Sequence, residues 1–92
     1  MKFEWDEKKN KANIKNHGID FKDIEEFFNH PMLNRIDDRD DYDEERWIGI
    51  GLLLEIVGVV IYTERVGNVT RIISARKATK REVKGYEKYI KN

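Results

Sequence analysis

Guanidinium and ammonium groups crowd the last third of this 92-residue chain. Residues 65–92 hold Arg65, Arg71, Arg76, Lys77, Lys80, Arg81, Lys84, Lys88 and Lys91 against Glu82 and Glu87, a net of +7. The chain as a whole is neutral, so residues 1–64 carry −7. Phosphate responds to the local patch rather than to the total, and a nucleic-acid partner is compatible with this division. A solvated lysine-rich helix has the same composition, and charge alone does not separate the two readings.

The elements that must position these cations begin with a hairpin. Gly67-Asn68 between two β-rich runs predicts a two-residue type II′ turn, whose first position needs positive φ. Val66 then pairs with Val69, followed outward by Arg65–Thr70, Glu64–Arg71, Thr63–Ile72, Tyr62–Ile73, Ile61–Ser74, Val60–Ala75 and Val59–Arg76. Alternation puts Val60, Tyr62, Ile73 and Ala75 on a core face, with Glu64–Arg71 at its tip. Arg65, Thr63, Thr70, Ser74 and Arg76 share the other face with Val59, Ile61 and Ile72, a surface suited to an anion. In that pairing Glu64 does not share the face of Arg65 and Arg76, so bringing all three together requires a bulge or an edge site. Directly after the hairpin, Thr79-Lys80-Arg81-Glu82 forms a capping box for a helix with Val83, Tyr86 and Ile90 on one face.

The remaining chain supplies the body of one small domain, residues 1–92. Phe3-Glu4-Trp5 reads as a short strand. Asp6 caps a polar, peripheral helix over about residues 7–16, which ends at His17-Gly18. Asp20 caps a second helix to about Asn29, whose Phe21, Ile24, Phe27 and Phe28 enter the core, with Ile19 stapled to Ile24. Strands follow at Met32–Ile36, Arg46–Gly51 and Val57–Thr63. The stretch Leu52-Leu53-Leu54-Glu55-Ile56 has no turn chemistry, and a run so apolar suits coverage by a partner chain. The expected order is β-α-α-β-β-β-β-α, an α+β fold with one antiparallel sheet packed with helices.

Several classes fall away. The absence of cysteine excludes disulfides and thiolate metal sites and suits a cytoplasmic protein. No apolar run reaches membrane-span length, and the N-terminus lacks the pattern of a secretory signal. The acidic run from Asp37 to Glu45 lacks the glycine and spaced terminal glutamate of a calcium loop, so we assign no metal; it reads as solvated or as a landing place for a basic partner.

Phe3-Glu4-Trp5-Asp6, Lys15-Asn16-His17-Gly18-Ile19 with Phe21, Pro31, and Glu45-Arg46 occur in an order that is familiar. So do Tyr62-Thr63-Glu64-Arg65 and Arg71-Ile72-Ile73-Ser74-Ala75-Arg76-Lys77-Ala78-Thr79, with Glu82 and Tyr86-Glu87. Together they resemble the BrnT toxins of bacterial type II toxin–antitoxin systems, small ribonucleases with a RelE-like fold. The leucine-rich 52–56 stretch departs from the polar turn that the family implies.

The resemblance implies cleavage of RNA without metal or cofactor, through attack of the ribose 2′-hydroxyl on the adjacent phosphate, and so inhibition of translation. Arg65 and Arg76 are then candidates for a clamp on the pentacovalent phosphate, because a guanidinium fork holds two oxygens and stays charged. Lys77, Arg71, Arg81 and Lys80 would hold flanking RNA. Glu64 and His17 are candidate bases, and Tyr86 a candidate to orient phosphate or donate a proton. Each has a plainer role: Glu64–Arg71 as a cross-strand ion pair, His17 as a helix C-terminal cation, Tyr86 as packing. The implied partner is a BrnA-like antitoxin with a ribbon-helix-helix DNA-binding domain, through which alone the complex would meet operator DNA and repress its operon. A non-catalytic nucleic-acid-binding module, or an inactive toxin serving as antitoxin scaffold, is the competing reading.

Overall fold

The computed structural model describes residues 1–39 and 41–91. Strands β1 (Lys2–Trp5), β2 (Met32–Ile36), β3 (Trp47–Leu53), β4 (Ile56–Arg65) and β5 (Val69–Lys77) form one sheet in the order β1-β5-β4-β3-β2. The helices are α1 (Glu7–His17) and α2 (Lys80–Lys91). The sheet is mixed, not wholly antiparallel. The β1 strand runs parallel to β5, from Lys2 beside Val69 to Trp5 beside Ile72. The entire chain separates these two strands, so no tight turn imposes the opposite direction.

The stretch expected to be a second α-helix is two 3₁₀ turns, Phe21–Asp23 and Glu25–Asn29. Its buried side chains explain why: Phe21, Ile24 and Phe27 recur every three residues. Three residues per turn eclipses such positions in a single line, whereas an α-helix would spread them around its axis.

Two apolar clusters lie on opposite faces of the sheet. The first joins Ile19, Phe21, Ile24 and Phe27 to Leu53, Val60, Tyr62, Ile72 and Ala75. The second joins Ile48, Ile50, Val59 and Ile61 to Ala78 and Tyr86, with Val83 and Ile73 packed against it. Helix α2, which lies over β2 and β3, closes this second cluster. Its start is the expected capping box: Thr79 N–H donates to Glu82 (2.8 Å) and Glu82 N–H to the Thr79 hydroxyl (3.2 Å).

Helix α1 is capped as expected, by Asp6 at its start and by Gly18 in the left-handed region (φ 69°) at its end. It docks through amides instead of apolar side chains. Asn10 and Asn13 are its buried residues. Asn10 accepts from the Phe21 N–H and donates to Asp20, while Asn13 donates to the Ile19 carbonyl and accepts from the Ala75 N–H.

The two hairpins differ from the expected registers. The leucine-rich segment turns at Leu54-Glu55, with Leu53 opposite Ile56 and Leu54 held at φ 57°, a conformation in which a leucine is strained. At the other hairpin the turn takes three residues, Val66-Gly67-Asn68, so Arg65 pairs with Val69, Glu64 with Thr70, Thr63 with Arg71 and Tyr62 with Ile72. A bulge at Ile73 then restores the expected pairs Ile61–Ser74, Val60–Ala75 and Val59–Arg76.

Replacing Asn13 with alanine strands the Ala75 N–H and the Ile19 carbonyl inside the protein. Urea denaturation should show a loss of about 2–3 kcal/mol, against a few tenths for the exposed neighbour Lys11→Ala.

Candidate functional site: an arginine face beside helix α2

The bulge decides which side chains share a face. Ile72 and Ala75 both join the first cluster, although three residues apart, because Ile73 is surplus. Arg71 and Arg76, five residues apart, thereby point to the same side, together with Ser74. On β4 that side carries Val59, Ile61, Thr63 and Arg65. On β1 it carries Glu4, since Phe3 and Trp5 pack into the first cluster. Helix α2 covers the β2–β3 portion, and the arginines line the remainder.

A transverse row crosses the sheet near the hairpin tip. Glu4 lies beside Arg71 and Arg71 opposite Thr63; Arg46 precedes the Trp47–Tyr62 pair, and its carbonyl accepts from the Asp37 N–H at 2.7 Å. Arg71 Nη1 donates to Glu4 Oε2 at 2.5 Å. Arg65, one pair nearer the tip, reaches Glu4 at 3.7 Å and Glu44 at 3.4 Å. The buried Thr63 hydroxyl donates to the Glu45 carbonyl (2.7 Å), which anchors the β2–β3 loop to β4. The guanidinium of Arg46 lies 4.0 Å above the Tyr42 ring, and its Nε is buried with no hydrogen-bond partner among the described residues. A donor left in that state costs on the order of 1–3 kcal/mol.

Arg76 stands at the other end of this face. Val59, its pairing partner, and Arg65 are six steps apart along β4, about 20 Å of extended strand. Arg65 and Arg76 therefore share a face, as expected, but cannot grip one phosphate together. Arg76 Nη1 and Nη2 donate to the two carboxylate oxygens of Glu82 at 2.8 and 2.9 Å. This fork holds the Glu82 carboxyl down at about 2, well below the ordinary value of 4.5, and raises the Arg76 pKa in return. The charge of Arg39 acts against that rise. Arg39 is held in turn by Asp37, through Nε to Oδ1 (2.7 Å) and Nη2 to Oδ2 (2.9 Å). Those bonds draw the buried Asp37 carboxyl down to about 2.

The other candidates lie elsewhere. Glu64 pairs with Thr70 on the face of Tyr62, opposite to Arg65 and Arg76. His17 is exposed in the last turn of α1, whose buried amides engage the segment of Ile19 and Phe21 on the first-cluster side. Tyr86 is 4% exposed, a core residue of the second cluster. Lys77 follows Arg76 at the end of β5 and points to the reverse face, while Lys80 and Arg81 lie exposed in the first turn of α2 beside Glu82. Glu4, Arg39 and Arg46 belong to the assembly and were not visible as site residues in the sequence, although Glu4 and Arg46 stood in recognised fragments. Among the described residues no group of three or more metal-ligating side chains is gathered, and within the acidic loop Asp40 lies outside the described residues.

The chain is thus a small α+β domain whose five-stranded sheet carries an arginine-lined face beside its last helix. The family model described as "Ribonuclease toxin, BrnT, of type II toxin-antitoxin system" matches residues 5–82. The 1.1 Å crystal structure of the Brucella abortus ribonuclease toxin BrnT is similar at a TM-score of 0.67 and 32% identity, over 87% of this chain and 99% of that one. Among curated proteins no match is found. The chain belongs to the BrnT family of type II ribonuclease toxins, which implies an antitoxin as its partner.

The carboxylates that hold the arginines also set an acid limit. Both Glu82 and Asp37 titrate lower in the folded chain than in the unfolded one, so their contribution is complete above about pH 4.5 and is lost as pH falls toward about 2. Melting temperature should fall across that window. The Glu82→Gln and Asp37→Asn variants, less stable at neutral pH, should each show a flatter fall.

Proposed function

We propose that this chain is an endoribonuclease that cuts RNA without a metal and so arrests translation. The observation that carries the reading is the face itself: Arg65, Arg71 and Arg76 turned to one side of the sheet, each oriented by a carboxylate. Guanidinium groups fixed before substrate arrives stabilise the charge that develops on phosphorus with little reorganisation, commonly the largest part of catalysis. The ribose 2′-oxygen forms a bond to phosphorus as the bond to the 5′-oxygen breaks, leaving a 2′,3′-cyclic phosphate and a 5′-hydroxyl.

Within this reading Arg76 engages the reacting phosphate, and Arg71 and Arg65 hold the RNA toward the hairpin tip, with Lys80 and Arg81 beside the first turn of α2. Neither Glu64 nor His17 stands at this face; the carboxylate beside Arg76 is Glu82, while Glu4 contacts Arg71 and lies near Arg65 toward the hairpin tip. The antitoxin is of the BrnA-like, ribbon-helix-helix type. It covers the basic hairpin and α2, and the toxin meets operator DNA only through it. Both act in the cytoplasm.

Induced alone in bacteria, the parent chain should stop growth and fragment cellular RNA. Arg76→Ala should remain folded and lower the cleavage rate at least about 100-fold, the scale for losing one preorganised donor. Glu64→Gln should stay toxic. A folded Arg76→Ala chain as toxic as the parent would remove Arg76 from catalysis, and a soluble parent that neither arrests growth nor cuts RNA would favour a scaffold or a simple binding module.

A further inference from the structure

The β2–β3 loop brings two further arginines to the functional face, and neither is explained by folding alone. Asp37 anchors it: the carboxylate side chain is fully shielded from water, yet it accepts from Arg39 Nε, Arg39 Nη2, the Arg39 N–H and the Tyr42 hydroxyl. These bonds use one edge of the Arg39 guanidinium. The side chain itself is 59% exposed. Asp37 also accepts from the hydroxyl of Tyr42, whose ring lies under the Arg46 guanidinium, so one carboxylate ties Arg39 to Arg46.

Arg46 supplies the second observation. It falls on the same face as Ile48 and Ile50, in the transverse row with Thr63 and Arg71. Tyr42 stacks on its guanidinium, and its Nε is buried with no hydrogen-bond partner among the described residues. The residue as a whole is only half-buried, so a phosphate can approach its guanidinium from this face.

We propose that Arg39 and Arg46 form a second phosphate subsite, which continues the arginine row of the hairpin across β3 and holds the RNA chain beside the phosphate that is cut. The subsite rests on the ribonuclease reading above. Asp37 is its positioning residue, setting the direction of the Arg39 fork. The row from Arg71 through Arg46 to Arg39 gives the RNA a path across the sheet from β5 to the β2–β3 loop.

The test is the salt dependence of binding by the full chain to an uncleavable single-stranded RNA with 2′-O-methyl riboses. Each phosphate contact contributes about 0.7 to the slope of log affinity against log salt on a single strand. The Arg39→Ala/Arg46→Ala variant should lose about 1.4 from that slope and more than about tenfold in affinity near 0.1 M salt. Lys9→Ala/Lys11→Ala on α1 should leave both unchanged. If the double variant melts early, Arg39→Ala alone carries the test, with a loss of about 0.7. Parent-like slope and affinity in a folded variant, while the parent binds and cuts RNA, would overturn the subsite and leave the ribonuclease intact. A parent that neither binds the methylated strand nor cuts ordinary RNA would overturn both.

Discussion

Ile73 has no partner on β4, and much of the protein's division of labour follows from that surplus residue. Below it, Ala75 and Val60 face the 3₁₀ turns; above it, Ile72 and Tyr62 do the same. An unbroken ladder would have turned Ile72 away from that core and Arg71 into it. The bulge keeps the first cluster apolar along the hairpin and gathers Arg71 with Arg65 and Arg76 on the other side. Bulges cost ladder hydrogen bonds and occur next to active sites because they re-aim side chains in this way.

Carboxylates then do two tasks on the arginine face. Glu82 caps the first turn of α2 and holds the Arg76 fork. Glu4 joins β1 to Arg71 and Arg65. Asp37 closes the β2–β3 loop and aims Arg39. An incoming phosphate must share or displace these partners, so affinity is moderated while orientation is retained. The same ion pairs tie together the hairpin, the loop and the last helix, which couples acid stability to the integrity of the site.

Much of this was legible in the sequence. The Thr79–Glu82 capping box, the αL glycine after His17 and the apolar face of α2 all follow from local chemistry, whereas the expected pairing of Val59 with Arg76 holds because the bulge offsets the longer turn. The turn register did not, because Gly67-Asn68 suits a two-residue turn and a three-residue one equally, and only tertiary packing selects the bulge that compensates. Leu54 gave no turn signal, since its backbone is strained rather than suited to the turn. Glu4, Arg39 and Arg46 were hidden for another reason. They come from a strand edge and an acidic loop remote in sequence from the basic segment, and only the β1–β5 and β2–β3 pairings bring them to it. Arg71 was misplaced by a single register step, which in a strand exchanges the faces, while Glu64 kept the face of Tyr62 that the sequence assigned it.

The chemistry of the cut ends tests the central claim most directly. Purified chain incubated with RNA in excess EDTA, followed by mass spectrometry of the fragments, should yield 2′,3′-cyclic phosphate or its hydrolysed form at one end and a 5′-hydroxyl at the other. Attack by the 2′-hydroxyl beside an arginine face requires those ends and no divalent ion. Fragments with 3′-hydroxyl and 5′-phosphate ends, or cleavage that vanishes with the chelator and returns with a metal, would contradict it.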